Sequence, residues 1–249
     1  MGQITGEMRA SFLRDGFVVV PDVLDAAQIA RGRRIVEGML ERKPPDPGHR
    51  GPYFLFPRLG SVGHPLLEFY RSAGIGELAG ELLRPGLSVY EPEFAQLALT
   101  LPPWPNPPGG PHVDGLTPPE PDGRPGTFSL LAGVWLTDQS LPHRGNLWIW
   151  PGTHLRFGQF LAERGPDALR LQDMVPGPYP PVELGDPVQA TGTAGSVLLA
   201  HYLLGHNIGD HVAGERRETI YYRLMAQGHR EGWRDYVTDP HVEFRAESV

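Results

Sequence analysis

Hydrophobic positions along this chain change their period near residue 87. Before that point the spacing is largely helical. Residues 7–14 and 25–42 read as helices, the second with Asp25 as N-cap and Ile29, Ile35, Val36, Met39 and Leu40 at near-helical intervals. The run Lys43-Pro44-Pro45-Asp46-Pro47-Gly48 stops it. Between the two, Phe17-Val18-Val19-Val20 follows Gly16 and ends at Pro21-Asp22, which predicts a short strand. Pro65 to Leu83 predicts one or two further helices. Beyond 87 the apolar runs become short and β-like. Residues 87–90, 94–100, 127–136, 146–150, 188–190, 196–201 and 219–224 are predicted strands, separated by Gly- and Pro-rich turns. Residues 155–171 predict a helical excursion among them.

Several short strands after a helical third predict an all-β core with flanking helices: two packed antiparallel sheets in a jelly roll, the cupin-like double-stranded β-helix. With 249 residues, no internal repeat and no linker, the reading is one domain over 1–249. Within it, 1–85 is a mostly helical buttress, 86–225 the jelly-roll core and 226–249 a C-terminal tail.

Composition narrows the function classes. Lys and Arg number 22 against 29 Asp and Glu, and they are scattered, so no basic face for nucleic acid is expected. Cysteine is absent, which removes disulfides and thiolate metal sites. No apolar run reaches the roughly 18–20 residues that cross a bilayer, and the first residues lack a hydrophobic signal segment. The expectation is a soluble, cytoplasmic protein without a membrane or nucleic-acid partner, acting as a monomer or weak homodimer on a small molecule.

The candidate chemistry begins at His112-Val113-Asp114, inside the loop-rich stretch PPGGPHVDGLTPP. In extended backbone, residues i and i+2 project from the same side, so this imidazole and carboxylate can meet one ion. That is half of a 2-His-1-carboxylate site, which holds non-haem Fe(II) on one face and leaves other positions open. The second histidine must come from far along the chain, where His201, His206 and His211 compete. A planar guanidinium suits the distal carboxylate of a 2-oxo acid. Arg217 and Arg223 share one face of a predicted strand with Thr219 and Tyr221, and both are candidates.

Longer segments add to these residues. Phe12-Leu13-Arg14-Asp15-Gly16-Phe17, His112-Val113-Asp114-Gly115, Gly133-Val134-Trp135-Leu136-Thr137-Asp138, Gly145 to His154, and Gly195-Ser196 through His206 stand in an order that resembles the phytanoyl-CoA dioxygenase family of Fe(II)/2-oxoglutarate oxygenases. An arginine about eleven residues beyond completes the set. The resemblance implies His112, Asp114 and His206 as iron ligands and catalytic centre, with Arg217 on the C5 carboxylate of 2-oxoglutarate. It makes His201 a structural histidine and places Gln96 near the cosubstrate. Thr219, beside Arg217 on its strand, is a candidate for adding a hydroxyl to the same carboxylate. The implied cofactors are Fe(II), 2-oxoglutarate and O2, with ascorbate as a candidate reductant, and the products include succinate and CO2. Asp114 occupies the position that halogenating relatives leave free for chloride. The chain departs from the family's pattern in Leu97-Ala98-Leu99-Thr100, where a lysine is often found, and in Asn207-Ile208, where small hydroxyl residues are common.

For the substrate wall the candidates are Trp104, Phe128, Trp135 and Trp150, with Trp148 beside them, and the loops 101–111, 116–126 and 155–187. Arg50, Arg58 and Arg124 are candidates for reading a substrate anion. No cluster of Lys and Arg stands ready for the phosphates of coenzyme A, so a small metabolite or natural-product intermediate is expected. Two alternatives remain at this level: a cupin-like metal enzyme that does not use 2-oxoglutarate, and a non-catalytic jelly-roll binding module.

Overall fold

The structure is a computed structural model describing residues 2–60, 63–116, 120, 126–172 and 179–245. Helix α1 (Gly6–Asp15) starts where the Thr5 hydroxyl accepts the Met8 N–H, and it ends at Gly16, whose φ of 85° closes the C-terminus. Strand β1 (Phe17–Val20) follows, then α2 (Ala26–Leu40), which opens with a reciprocal capping box between Asp25 and Gln28. These match the sequence expectation to within two residues at each end. Strand β2 (Gly51–Leu55) was not anticipated; α3 (Pro65–Ser72) and α4 (Ile75–Gly80) were.

The remaining strands are β3 (Ala95–Leu101), β4 (Leu130–Trp135), β5 (Leu147–Ile149), β6 (Val188–Gln189), β7 (Val197–His201), β8 (His206–Ile208) and β9 (Arg217–Leu224). Helix α5 (Thr153–Arg164) and a 3-10 turn (Pro166–Gln172) fill the predicted helical excursion. Two expectations are corrected. Residues 87–90 make only a single bridge, Val89 to Ala226, in place of a strand, and the tail after 226 contains α6 (His229–Thr238). The tail folds because Trp233 and Val237 on one helix face bury against the core.

All pairings are antiparallel. A six-stranded sheet runs β1-β7-β4-β9-β3-β2 and a three-stranded sheet runs β6-β5-β8. This is the jelly-roll arrangement expected. The large sheet is buried on both faces, and strand parity divides its side chains between two cores. Leu97, Leu99, Val134, Leu199, Ile220 and Tyr222 face the helices of the N-terminal third. Ala98, Leu131, Trp135, Leu198 and Tyr221 face the small sheet and α5. The second face carries the site. Because β1 and β2 are the two edges of the large sheet, the N-terminal third is part of the sandwich as well as its buttress. Among the described residues, no helix is long and apolar enough to cross a membrane.

Two buried histidines hold the N-terminal helix, β7 and the C-terminal segment together. His201 donates from Nε2 to the Pro240 carbonyl (3.1 Å) and accepts the Leu203 N–H at Nδ1 (3.0 Å), while His154 reaches the Leu13 carbonyl (3.3 Å). Burial pushes His154 down to about 4, against a smaller opposing effect of the Leu13 hydrogen bond. Burial and the neighbouring His154 push His201 well below the ordinary value. As pH falls from about 6.5 towards 4, the unfolded chain takes up protons that the fold excludes, so stability present at neutral pH is lost on acidification. His154 alone should remove about 2 kcal/mol between about pH 7.5 and pH 5. A urea unfolding midpoint that does not fall over that range would refute the neutral, buried state of these rings.

Candidate metal centre and its cavity

His112 lies in an otherwise irregular segment and joins the edge of β8 through one reciprocal pair. Its N–H donates to the His206 carbonyl (3.1 Å), and the His206 N–H donates back to the His112 carbonyl (3.2 Å). Gly205 permits this approach, since a Cβ there would stand 3.0 Å from the Pro111 Cβ and 3.2 Å from the Thr153 hydroxyl. The pairing brings the two imidazole centroids to 4.6 Å. Asp114, two residues beyond His112, turns its Oδ1 to both rings, 3.7 Å from His112 Nε2 and 3.9 Å from His206 Nε2. The three donor atoms all lie within 4.8 Å of one another. Among the described residues, they are the one cluster of three such groups close enough to share an ion.

The partners around them fix the orientation and protonation of these groups. His206 Nδ1–H donates to the Leu204 carbonyl (2.9 Å), which leaves the Nε2 lone pair directed at the cluster. Burial, reinforced by the neighbouring His206 ring and the Arg223 guanidinium and opposed by Asp114, pushes His112 down to about 4, so it is a neutral donor at physiological pH. Burial also pushes the Asp114 carboxyl up. The Arg223 guanidinium and the two imidazoles outweigh that and hold it below the ordinary carboxylate value. Arg223 does this through a 2.7 Å bond from Nη2 to Asp114 Oδ2, and it shares the same nitrogen with Gln96 Oε1 at 2.9 Å.

The other two candidate histidines lie outside the cluster. His201 has both ring nitrogens hydrogen-bonded in the buried cluster described above. His211 is buried, its backbone bridged both ways to Trp104, and its ring neither joins the cluster nor lines the cavity.

The cluster opens into a cavity of about 570 Å³ that also takes in Gln96, Arg217, Tyr221 and Arg223. Strand β9 supplies three of these by alternation, and the register Gln96 opposite Tyr221 sets the fourth beside them. Arg217 is only 2% exposed. It donates from Nε to Gln139 Oε1 (3.1 Å) and from Nη2 to the Tyr221 hydroxyl (2.7 Å). Gly145 makes the space for it, because a Cβ there would lie 2.7 Å from Arg217 Cδ. Thr219 lies on the same strand but does not line the cavity; its hydroxyl accepts the Gln139 amide at 3.2 Å. It therefore braces Gln139, and through it Arg217.

The expected substrate wall is corrected. Trp104, Phe128, Trp135 and Trp150 do not line the cavity. Trp135 is fully buried against Gly192, Phe128 packs edge-on to Tyr202 at 4.8 Å, and Trp150 is buried where β5 meets α5. Trp104 packs on Gly51. Trp148 is likewise absent from the cavity wall, its indole lying against Gly209. The aromatic wall is instead Phe54, Phe56 and Phe94. Of the three loops expected to contribute, Leu116 is the one lining residue within the described positions. Residues 117–119, 121–125 (with Arg124) and 173–178 lie outside them. Gln139, Tyr221 and the Phe54–Phe56 pair were missed as site residues. Tyr221 could have been found from its place on the Arg217 face, and Phe54 and Phe56 from their alternation with Tyr53 and Leu55.

Fold and site together define a double-stranded β-helix with a 2-His-1-carboxylate cluster. The phytanoyl-CoA dioxygenase family profile matches residues 12–219. The chain belongs to that family of Fe(II)/2-oxoglutarate-dependent oxygenases. Ectoine dioxygenase of Stutzerimonas stutzeri (strain A1501) is 26% identical over 240 residues, covering 88% of this chain and 76% of that protein. The fold is also that of EctD from S. alaskensis with bound Fe (TM-score 0.61, 20% identity, 89% of this chain and 76% of that one). It is shared with the α-ketoglutarate-dependent carbocyclase SnoK from nogalamycin biosynthesis (TM-score 0.59, 20% identity, 89% and 83%).

Cobalt(II) titration followed by its visible absorption tests the cluster as a metal site. The His206→Ala variant should lose more than about 100-fold in affinity, beyond what loss of an outer-shell partner costs. His211→Asn should retain wild-type affinity. The reverse pattern would assign the distal ligand wrongly.

Proposed function

We propose that this chain oxidises an unactivated C–H bond of a small metabolite or natural-product intermediate, with 2-oxoglutarate as cosubstrate. The observation that carries the reading is the joint placement of the three convergent donors and a buried guanidinium in one cavity. Two imidazoles and one carboxylate suit Fe(II) and leave further positions for a bidentate 2-oxo acid and O2. When bound, the metal with its cosubstrate supplies the oxidising chemistry, 2-oxoglutarate leaving as succinate and CO2.

The protein's own share is binding and orientation. Arg217 is the anchor for the distal carboxylate. Its guanidinium is oriented by Gln139 before any ligand arrives, which lowers the ordering cost of binding. The Tyr221 hydroxyl accepts from Arg217, so its own proton is free to donate to the second carboxylate oxygen. Arg223 holds Asp114 Oδ2, which keeps Oδ1 aimed at the imidazoles, and it fixes Gln96 at the cavity wall. Arg223 is already committed to a metal ligand, which favours Arg217 over it as anchor. The apolar remainder of the wall keeps water away from the reacting centre. Among the described residues, the cations lining the cavity are Arg217 and Arg223, both already assigned, which argues against a coenzyme A thioester gripped by its phosphates.

Replacing Arg217 by Met should leave Fe(II) affinity intact. It should weaken 2-oxoglutarate by roughly 30-fold or more, as loss of a buried charge pair costs about 2–5 kcal/mol. The anaerobic visible band of the Fe(II)–2-oxoglutarate complex reads this directly. A change under about twofold would move the anchor to Arg223, and absence of the band in the wild type would favour a metal enzyme that does not use 2-oxoglutarate.

A further inference from the structure

The cavity has two chemically different ends. The triad, Gln96, Arg217, Tyr221 and Arg223 form one, and the oxygenase reading assigns them to metal and cosubstrate. We infer that the other end selects an uncharged, predominantly apolar substrate with a flat ring system, seated against Phe54, Phe56 and Phe94; this rests on that oxygenase reading.

A census of polar groups supports it. Once the metal and cosubstrate residues are set aside, Asn207 is the one polar side chain lining the cavity among the described residues. Its amide is held in place at both ends, Nδ2 donating to the Gly110 carbonyl (2.7 Å) and Oδ1 accepting the Ile208 N–H (2.8 Å), and it carries no charge to answer an ion. Arg58 does not line the cavity; its guanidinium lies over the Phe94 ring at 5.5 Å. A carboxylate, phosphate or ammonium placed against this wall would lose water and meet no ion-pair partner among the described lining residues.

The mouth has the opposite problem. Phe54 and Phe56 are 41% and 61% exposed, unusual for rings of this size, and they are the exposed large hydrophobic side chains that line the cavity. They lie 6.3 Å apart, tilted at 52°, on and just beyond edge strand β2. Directly across from Phe54 in the register is Ala98, also a lining residue, whose short side chain leaves room beneath the ring. A flat apolar body laid across these rings removes their exposed faces from water and gains the offset and edge contacts that aromatic pairs favour.

The test uses the full chain loaded with Zn(II) and 2-oxoglutarate, so that nothing turns over, and reads binding by calorimetry. The probes are two neutral polycycles, flavone and 9-fluorenone, with an acyl-coenzyme A and the zwitterion ectoine for contrast. At least one polycycle should bind more tightly than either contrast probe. Phe54→Ala and Phe56→Ala, both at exposed positions, should each weaken it about tenfold while 2-oxoglutarate affinity stays unchanged. Normal 2-oxoglutarate binding with no polycycle binding, with a contrast probe binding more tightly, or with polycycle binding indifferent to both substitutions overturns the apolar assignment. Failure of 2-oxoglutarate itself to bind the wild type overturns the oxygenase reading, and this inference with it.

Discussion

A single reciprocal backbone pair, His112 with His206, holds the site together. Segments 94 positions apart in sequence meet there through two hydrogen bonds of 3.1 and 3.2 Å. Side-chain direction in extended backbone reverses with every residue, so a one-residue slip would turn an imidazole out of the cluster. The register is protected from both sides of β8. On one side Ile149 pairs with His206 and Trp148 with Asn207. On the other, Gly205 lets the Pro111 segment come close, while beyond the strand Gly209 lies under the Trp148 indole, where a Cβ would come within 2.5 Å. A strand of three residues is held in one register by small residues that its neighbours require.

Strand β9 divides the charged work in a comparable way. Its odd positions give Arg217, Tyr221 and Arg223 to the cavity, and its even positions give Ile220 and Tyr222 to the helical core. Glu218, also even, is fully buried and is paired by Arg216 and, more distantly, by Arg33. Alternation along one strand therefore keeps a buried acid away from the two site arginines. Each of those arginines then has its own neighbours. Gln139 and Tyr221 hold Arg217, and Asp114 and Gln96 hold Arg223.

What could be read from the sequence was local. The α1 and α2 boundaries follow from Thr5, Gly16 and the Asp25–Gln28 box, and β1 and β9 follow from composition and alternation. The His112–Asp114 half of the cluster was legible for the same reason, since two-residue spacing carries its own geometry. Long-range pairing was not. Gln139 meets Arg217 across 78 residues, and no pattern near either residue announces it. The substrate wall was misread because strand tryptophans are natural lining candidates, yet Trp135 shares its face with Leu131 and lies too far along β4 to reach the cavity. Phe54 was hidden because Pro52 makes the segment look like a loop, although proline is tolerated on an edge strand such as β2.

The arrangement also explains how the donors can wait for a metal without damaging the fold. An ionised carboxylate buried alone would cost several kcal/mol and would take up a proton to escape the penalty. Arg223 removes that incentive from Asp114 by binding the oxygen that faces away from the imidazoles. Burial meanwhile keeps His112 neutral, its value pushed down to about 4. Both groups therefore stand at neutral pH in the protonation state that coordination requires. A metal entering the cluster would not have to displace a proton from either of them, whereas sites built from ordinary histidines compete with protons near pH 6.5. The same guanidinium that stabilises the buried carboxylate also keeps it pointed at the imidazoles, so preorganisation and stability here rest on one contact.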